Sequence, residues 1–122
     1  MLVVDDEADV REVAADMLRV LGFEARPAAD AAAAVALLRE HAVTIVAVLL
    51  DVTMPTTSGE EIFDHLRRVA PRVPILLASG YSEEDVFRRF AGRDPAGVVQ
   101  KPFELDTLAS RLRAALGESP PP

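Results

Sequence analysis

Four short apolar runs constrain the fold of this chain more than any other feature. They cover residues 2–4, 45–50, 73–78 and 97–99, and they are rich in valine, leucine and isoleucine. Their apolar residues do not alternate with polar ones, which is typical of strands buried on both faces of a parallel sheet. Residues 23–27 form a weaker candidate that suits an edge strand, where Pro27 is tolerated. The sequence therefore predicts five strands.

Helical patterns lie between the predicted strands. Apolar residues recur at three- and four-residue steps from Val10 to Leu21, and Gly22 supplies a stop. Three further helices begin at residues that favour capping: Asp30, Ser58 and Ser82. In the fourth helix, three residues are expected to face the core: Val86, Phe87 and Phe90. The last helix is marked by spaced leucines and a final glycine: Leu105, Leu108, Leu112, Leu116 and Gly117.

Five alternations of strand and helix predict a doubly wound α/β fold, with a five-stranded parallel sheet, helices on both faces and right-handed crossovers. A chain of 122 residues suits one domain with one core. We expect that domain to occupy residues 1–117. Residues 118–122, which include three prolines, are expected to be a tail or a truncated linker.

Charge and composition exclude several classes of function. The net charge of −7 and the absence of a lysine and arginine cluster argue against direct binding of nucleic acid. The chain has no cysteine, so it has no disulfide framework or thiolate metal site, and a cytoplasmic location is expected. The apolar run at residues 45–50 is too short to span a bilayer, and the N-terminus does not read as a signal sequence, so no membrane association is expected.

Polar side chains stand where the predicted strands end. Asp5 and Asp6 follow the first strand, Asp51 the third, Ser79 the fourth and Lys101 the fifth. Ligands of doubly wound sheets bind beyond the carboxyl ends of the strands. We therefore expect these side chains on one rim.

Three carboxylates in a small crevice repel one another unless a cation offsets their charge. Mg²⁺ prefers oxygen ligands and commonly binds one or two carboxylates, so Asp6 and Asp51 are candidate direct ligands and Asp5 a ligand through water. A carboxylate can also attack phosphorus, provided that the phosphoryl oxygens are neutralised. Mg²⁺, Lys101 and the Ser79 hydroxyl would supply that neutralisation.

Each of these residues also has a plainer interpretation when it is taken alone. Asp5 and Asp6 could cap the first helix, and Asp51 could be a solvated loop acid. Ser79 could be a turn residue or a cap, and Lys101 a surface lysine. Their joint placement at four strand ends favours the functional interpretation.

Four motifs, in order over essentially the whole chain, resemble the receiver domains of two-component response regulators. They are Leu-Val-Val-Asp5-Asp6-Glu7, Leu-Leu-Asp51-Val-Thr-Met-Pro55 followed by Gly59, Leu-Leu-Ala-Ser79-Gly80, and Gln-Lys101-Pro102-Phe103. The resemblance implies a flavodoxin-like fold with strand order 2-1-3-4-5. It also implies a signalling switch rather than an enzyme.

The resemblance implies a role for each site residue. Asp51 would be the phosphoacceptor, and Asp6, Asp51 and the main-chain carbonyl of Thr53 would bind Mg²⁺. Asp5 would orient a metal-bound water. Ser79 and Lys101 would contact the phosphoryl group, and the Lys101-Pro102 bond would be cis.

The resemblance also indicates partners. The phosphoryl group would come from a histidine kinase or a histidine phosphotransfer protein, and a homodimer could form through the fourth and fifth helices. The string Ser-Gly-Tyr-Ser at residues 79–82 resembles receivers attached to hybrid sensor kinases.

One position departs from the family pattern. Receivers usually carry an aromatic residue three positions before the lysine, and this chain has Val98 there. Val98 reads as an ordinary strand residue, which puts the usual aromatic switch in doubt. Tyr81 could supply a ring near the site instead, or could be a simple loop aromatic. Gly59 has two interpretations as well, a close backbone approach or plain flexibility at a helix start.

Two other functions compete with the switch. An aspartate-nucleophile phosphohydrolase needs a second acid two residues after the nucleophile, where this chain has Thr53. A receiver-like binding module that takes no phosphate is the other rival, and the complete acidic set with Lys101 argues against it.

Overall fold

The computed structural model describes residues 1–53 and 58–117. In that part of the chain, five strands alternate with five helices. The strands are β1 (Leu2–Val4), β2 (Arg26–Ala28), β3 (Val48–Asp51), β4 (Ile75–Ser79) and β5 (Gly97–Gln100). The helices are α1 (Ala8–Val20), α2 (Ala31–Glu40), α3 (Gly59–Val69), α4 (Glu83–Arg89) and α5 (Leu105–Ala115).

The strands form one parallel sheet in the order β2-β1-β3-β4-β5. This confirms the predicted doubly wound fold and its strand order. β2 is an edge strand, as its Pro27 suggested, because it pairs with β1 alone. The strand order reverses between β1 and β3, so the carboxyl ends of these two strands flank the crevice expected of such folds.

The sheet separates two apolar clusters. Leu2 and Val4 face one cluster, which includes buried residues of α2, α3 and α4. Val3 faces the other, which includes buried residues of α1 and α5. Successive strand residues point to opposite faces, so a strand buried on both faces must be apolar throughout. The unbroken apolar runs of the sequence have this cause.

The predicted helix ends are confirmed by their hydrogen bonds and backbone angles. The side chain of Asp30 accepts a bond from Ala33 N at 2.8 Å, and that of Ser82 from Asp85 N at 3.2 Å. Ser58 accepts a longer bond, 3.4 Å, from Glu61 N. Glycines with positive φ follow α1 and α5: Gly22 at 93° and Gly117 at 72°.

Three strands begin later than predicted, and four end one residue later than predicted. β2 begins at Arg26 rather than at residue 23, β3 at Val48 rather than 45, and β4 at Ile75 rather than 73. Apolar character marks burial, not strand pairing. Ile45 is buried, yet its N–H donates to the His41 carbonyl in the turn after α2 rather than to a neighbouring strand.

The prediction for Phe87 is wrong. Val86 and Phe90 are buried, but Phe87 is 49% exposed. Val86 and Phe90 are four residues apart and share a helix face, whereas Phe87 lies about 100° around the axis from Val86. The Pro-rich tail expected at residues 118–122, and the Met54-Pro55 part of the second motif, lie outside the described residues.

Candidate functional site

The carboxyl ends of β1, β3 and β5 bring three predicted residues into direct contact. Asp5 follows β1, Asp51 ends β3, and Lys101 follows β5. The Lys101 Nζ lies 2.9 Å from Asp5 Oδ2 and 3.2 Å from Asp51 Oδ2. Both carboxylates are buried, and the lysine side chain is 20% exposed. A single ammonium therefore bridges two buried acids.

A third acid completes the cluster. One ligand oxygen from each of Asp5, Asp6 and Asp51 lies within 4.8 Å of the others. Asp6 is exposed, whereas the other two are buried. Three hard oxygen donors this close, open to solvent on one side, suit a divalent cation that keeps part of its water shell. The residues present therefore fit the Mg²⁺ that the sequence predicted.

Burial and neighbouring charges shift the pKa values of Asp5 and Lys101. Burial raises the pKa of Asp5, and hydrogen bonds from Glu7 N–H and Lys101 only partly oppose this. Burial on its own would lower the pKa of Lys101, but the hydrogen bond to Asp5 and the nearby charge of Asp51 raise it overall. Lys101 is therefore firmly protonated and carries the positive charge that these acids need.

Each buried carboxylate is held by two kinds of partner. Asp5 Oδ1 accepts a bond from Glu7 N at 3.0 Å, and Asp51 Oδ1 accepts bonds from Thr53 N at 3.0 Å and Thr53 Oγ1 at 2.6 Å. The Oδ2 atom of each faces Lys101. One oxygen of each acid is thus fixed by its own loop, and the other points into the shared pocket.

Sequence reasoning missed two supporting groups. Arg11 Nη1 donates to the Asp5 carbonyl at 2.8 Å, and the Thr53 hydroxyl, not only its main chain, contacts Asp51. Arg11 lies one helical turn after Glu7, which follows the two aspartates, so the helical repeat brings Arg11 close to the pocket. No sequence signal indicated which atom it would bind. Glu7, and neither Asp5 nor Asp6, is the N-cap residue of α1, although Asp5 Oδ1 accepts a bond from the Glu7 N–H just before the helix.

Ser79 lies on the same rim but outside this network. It is fully buried at the end of β4, next to the strand that carries Asp51. Its hydroxyl accepts a bond from Tyr81 N at 2.9 Å. Ser79 is therefore tied to the start of the β4–α4 loop rather than to the carboxylates. The role of the Thr53 main-chain carbonyl as a Mg²⁺ ligand stays a prediction.

Gly59 has the close-approach role that was one of its two interpretations. A Cβ atom built there would lie 2.8 Å from Val52 Cβ and 3.0 Å from Val52 Cα. Val52 directly follows Asp51, so the start of α3 packs against the backbone that carries this carboxylate. A glycine is needed because any side chain would push the two apart.

Val98 and Tyr81 have ordinary surroundings. Val98 is buried in β5 against the α2–α4 side of the sheet, which fits the strand interpretation. Tyr81 is 55% exposed. The predicted cis Lys101-Pro102 bond is confirmed.

A groove of about 480 Å³ opens beside the acidic pocket. It runs between α1 and the segment after β5, and it is mostly apolar. Its lining is Asp9, Val10, Val13, Ala14, Met17, Lys101, Pro102 and Phe103. Val13 is 54% exposed there, although its position in the α1 pattern suggested the core.

Comparisons with known proteins identify the family of this chain. Residues 1–113 match the response regulator receiver domain family. The probable transcriptional regulatory protein TcrX of Mycobacterium tuberculosis is 36% identical over 118 residues, which are 95% of this chain and 49% of TcrX. The sensor kinase CckA of Brucella abortus is 29% identical over 95% of this chain and 12% of its own length. The solved receiver domain of NtrX from Brucella abortus has a TM-score of 0.84 at 30% identity, covering 97% of this chain and 98% of that one.

The chain therefore belongs to the response regulator receiver domain family, the phosphoacceptor switches of two-component signal transduction. Receiver domains bind Mg²⁺ at an acidic pocket and interact with histidine kinases or phosphotransfer proteins. The chain spans about half the length of TcrX and a smaller part of CckA. Within the described residues, no helix is both long and apolar enough to cross a membrane.

Proposed function

We propose that Asp51 accepts a phosphoryl group from a phosphohistidine of a histidine kinase or phosphotransfer protein. The observation that carries the proposal is the bridging of Asp5 and Asp51 by Lys101 in a buried pocket. In the transfer, an Asp51 carboxylate oxygen forms a bond to phosphorus as the N–P bond breaks, and the imidazole keeps the electron pair. The pocket must then neutralise the charge on the phosphoryl oxygens.

Mg²⁺ would be held by Asp6, Asp51 and the Thr53 carbonyl, with Asp5 acting through a water. When bound, the ion supplies positive charge to the transferring group and to the carboxylates. The support for this assignment is the three converging oxygens and the exposure of Asp6, which leaves an open side. Arg11 and the Glu7 N–H fix the turn that presents Asp5 and Asp6.

Lys101 and Ser79 would contact the phosphoryl group. Lys101 is protonated and already faces Asp51 Oδ2, so a short side-chain movement would bring Nζ to a phosphoryl oxygen. Ser79 would exchange its bond with Tyr81 N for one to the phosphoryl group. That exchange would link chemistry at Asp51 to the backbone that leads into α4.

The rival hydrolase function has no support from the pocket. Thr53 stands where a hydrolase of this type needs an acid, and its hydroxyl is bound to Asp51 Oδ1 at 2.6 Å. A threonine hydroxyl cannot act as a general acid near neutral pH. We therefore propose a switch whose phosphoryl group is kept, not an enzyme that turns over a phosphate ester.

The phosphodonor protein would dock on the groove beside the pocket. A phosphohistidine must approach Asp51 closely, so its carrier has to contact the surface around Lys101. The apolar lining, with Val13 exposed, offers such a surface. The predicted homodimer through α4 and α5 and the boundary of the domain at residue 117 stay proposals, as does the cytoplasmic location.

Beryllofluoride, which mimics a phosphoryl group, tests the assignment of Asp51. The unmodified protein should bind it together with Mg²⁺ and should gain one phosphoryl group from acetyl phosphate by intact-mass spectrometry. Asp51→Asn should lose both. Asp9→Asn removes the same charge from an exposed position on α1 and should retain both. An undiminished phosphoryl adduct on Asp51→Asn would overturn the proposal.

The docking groove is tested by comparing two phosphodonors. Val13→Gln should slow phosphorylation by a cognate kinase but not by acetyl phosphate, because only the protein donor needs the groove. Val20→Gln is the matched control, since Val20 is exposed on the same helix and does not line the groove. If Val13→Gln and Val20→Gln changed the rate of phosphorylation by the kinase equally, the phosphodonor protein would dock on a surface other than the groove.

A further inference from the structure

The two ends of α4 are attached to the protein in different ways. At its C-terminal end, Phe90 is buried and packs edge-to-face on Phe63 of α3, with ring centroids 5.5 Å apart. Beyond it, Arg93 donates two bonds to Asp64 of α3, at 3.0 and 3.2 Å. Arg89 also pairs with Glu60 of α3. Aromatic packing and ion pairs thus fix this end to α3.

The N-terminal end has little burial. Tyr81, Ser82 and Glu84 are exposed, and Val86 is the first buried residue. Among the described residues, the ion pair that joins this end to another element is formed by Arg111 Nη2 of α5 and Glu83 Oε1, at 2.7 Å. Among the described residues, removing this pair would leave the start of α4 without an ion pair to α5.

The signal from the phosphoacceptor pocket would arrive at this same end. The Ser79 hydroxyl accepts a bond from Tyr81 N, two residues before Glu83. A Ser79 that turns toward a phosphoryl group gives up that bond and frees the start of the helix. The buried Phe90 end keeps its contacts with α3, so α4 would pivot about that end.

We propose that the Glu83–Arg111 ion pair is an autoinhibitory latch, which holds the start of α4 against α5 in the unphosphorylated state and breaks on activation. The proposal rests on the proposed function of Asp51 and Ser79. The Arg93–Asp64 pair is the pivot and is kept in both states. The latch thus sets how readily the domain switches.

The expected effect follows from two-state linkage. A contact that exists in only one of two states shifts the equilibrium between them by its full contribution to the free energy. A ligand that binds the other state therefore has a changed apparent affinity. An exposed ion pair contributes enough for a change of roughly two- to fivefold. Salt screens such a pair, so the effect should shrink at high ionic strength.

The test compares Glu83→Gln and Arg111→Gln with Arg88→Gln. Arg88 pairs with Asp85 within α4, so its substitution removes an exposed arginine and an ion pair but leaves the latch. Beryllofluoride affinity at saturating Mg²⁺ should rise roughly two- to fivefold in the two latch variants and stay unchanged in Arg88→Gln. Without beryllofluoride, amide hydrogen exchange at Asp85 and Val86, whose N–H groups bond to Ser82, should speed up in the latch variants alone.

Charge reversal and salt complete the test. Glu83→Arg combined with Arg111→Glu should restore the affinity of the unmodified protein, and 1 M salt should remove the difference between the unmodified protein and Glu83→Gln. Equal affinities in all variants, with beryllofluoride still bound, would overturn the latch alone. No binding by the unmodified protein would overturn the proposed function and the regulatory role together, and the exchange rates would still report whether the pair holds the helix.

Discussion

The acidic pocket and helix α4 show two ways in which this domain holds its parts. In the pocket, Asp5 and Asp51 are buried, and both carboxylate oxygens of each have a hydrogen-bond or ion-pair partner. Helix α4 has seven residues, of which Val86 is buried, and its side-chain ties are partly exposed ion pairs. Buried contacts therefore hold the pocket, whereas partly exposed contacts hold the start of α4.

The contacts that hold the two regions differ in how much they contribute to the free energy of folding. Removing one partner of a buried ion pair generally costs about 3–5 kcal/mol, whereas an exposed pair contributes about 0.2–1 kcal/mol. A phosphoryl group can therefore move the start of α4 without rearranging the carboxylates. Regions with few buried apolar contacts are also those that open most easily.

The largest expected effect tests the division within α4 itself. Phe90→Ala should lower the free energy of unfolding by about 3–5 kcal/mol, because Phe90 is buried against Phe63. Phe87→Ala removes the same side chain from an exposed position and should cost less than about 1 kcal/mol. Urea unfolding measures both. Equal losses would mean that the packing of Phe90 on Phe63 does not hold the C-terminal end of α4.

A second pair of variants compares glycines from the two regions. Gly59→Ala should lower the free energy of unfolding by about 1–3 kcal/mol, because its Cβ would meet Val52 backbone and side chain below 3.1 Å. Gly80→Ala lies on the α4 side, has open space around its Cβ, and should change stability by less than about 1 kcal/mol. Thermal unfolding would measure both changes. If Gly59→Ala were as stable as the unmodified protein, the backbone beside the pocket could adjust to the added methyl group.

Much of the fold was predictable because local chemistry and burial agree. Asp30 and Ser82 were predicted to cap helices and do so in the structure. Gly22 was predicted to end α1 and has the positive φ typical of that position. Phe87 was misplaced because a seven-residue helix gives too short a pattern to separate adjacent faces. The start of β3 was misplaced because Ile45 is buried without pairing in the sheet.

The site was predictable as a set of residues but not as a set of contacts. Strand ends placed Asp5, Asp51 and Lys101 on one rim. That Lys101 would bridge both acids, and that Thr53 would donate its hydroxyl to Asp51, depends on side-chain rotamers that no spacing reveals.

Those contacts add one expectation about the pocket. Besides its proposed contact with the phosphoryl group, Lys101 places its Nζ between Asp5 and Asp51, and its raised pKa keeps it charged near neutral pH. Lys101→Met should therefore raise Mg²⁺ affinity, by up to about tenfold or 1.4 kcal/mol, because a competing cation is removed.

Calorimetric titration measures this change, and Lys101→Arg is the control because it keeps the charge. Phosphorylation of Lys101→Met should nevertheless weaken, since the phosphoryl oxygens lose their cation. A lower Mg²⁺ affinity in Lys101→Met than in Lys101→Arg would contradict the competition.

The smallest expected effect concerns Val98, the residue that departs from the family pattern. Val98 is buried in β5 beside Leu77 of β4 and is stiff at its first torsion, so it cannot make the large swing of an aromatic ring. Its methyl resonances should shift little when Mg²⁺ and beryllofluoride bind. The backbone of residues 79–90 should shift clearly, because the Ser79–Tyr81 bond and the start of α4 lie there.

Methyl and amide NMR with and without beryllofluoride would make this measurement, with the methyl groups of Val86 as an internal comparison. Val86 is equally buried but belongs to α4, so its resonances should move if the helix pivots. Because Val98 has no ring to report the state of Ser79, the backbone of the β4–α4 loop has to carry the signal. If Val98 changed rotamer while the backbone of residues 79–90 did not move, the conformational change would lie in β5. Helix α4 would then be as fixed as the acidic pocket.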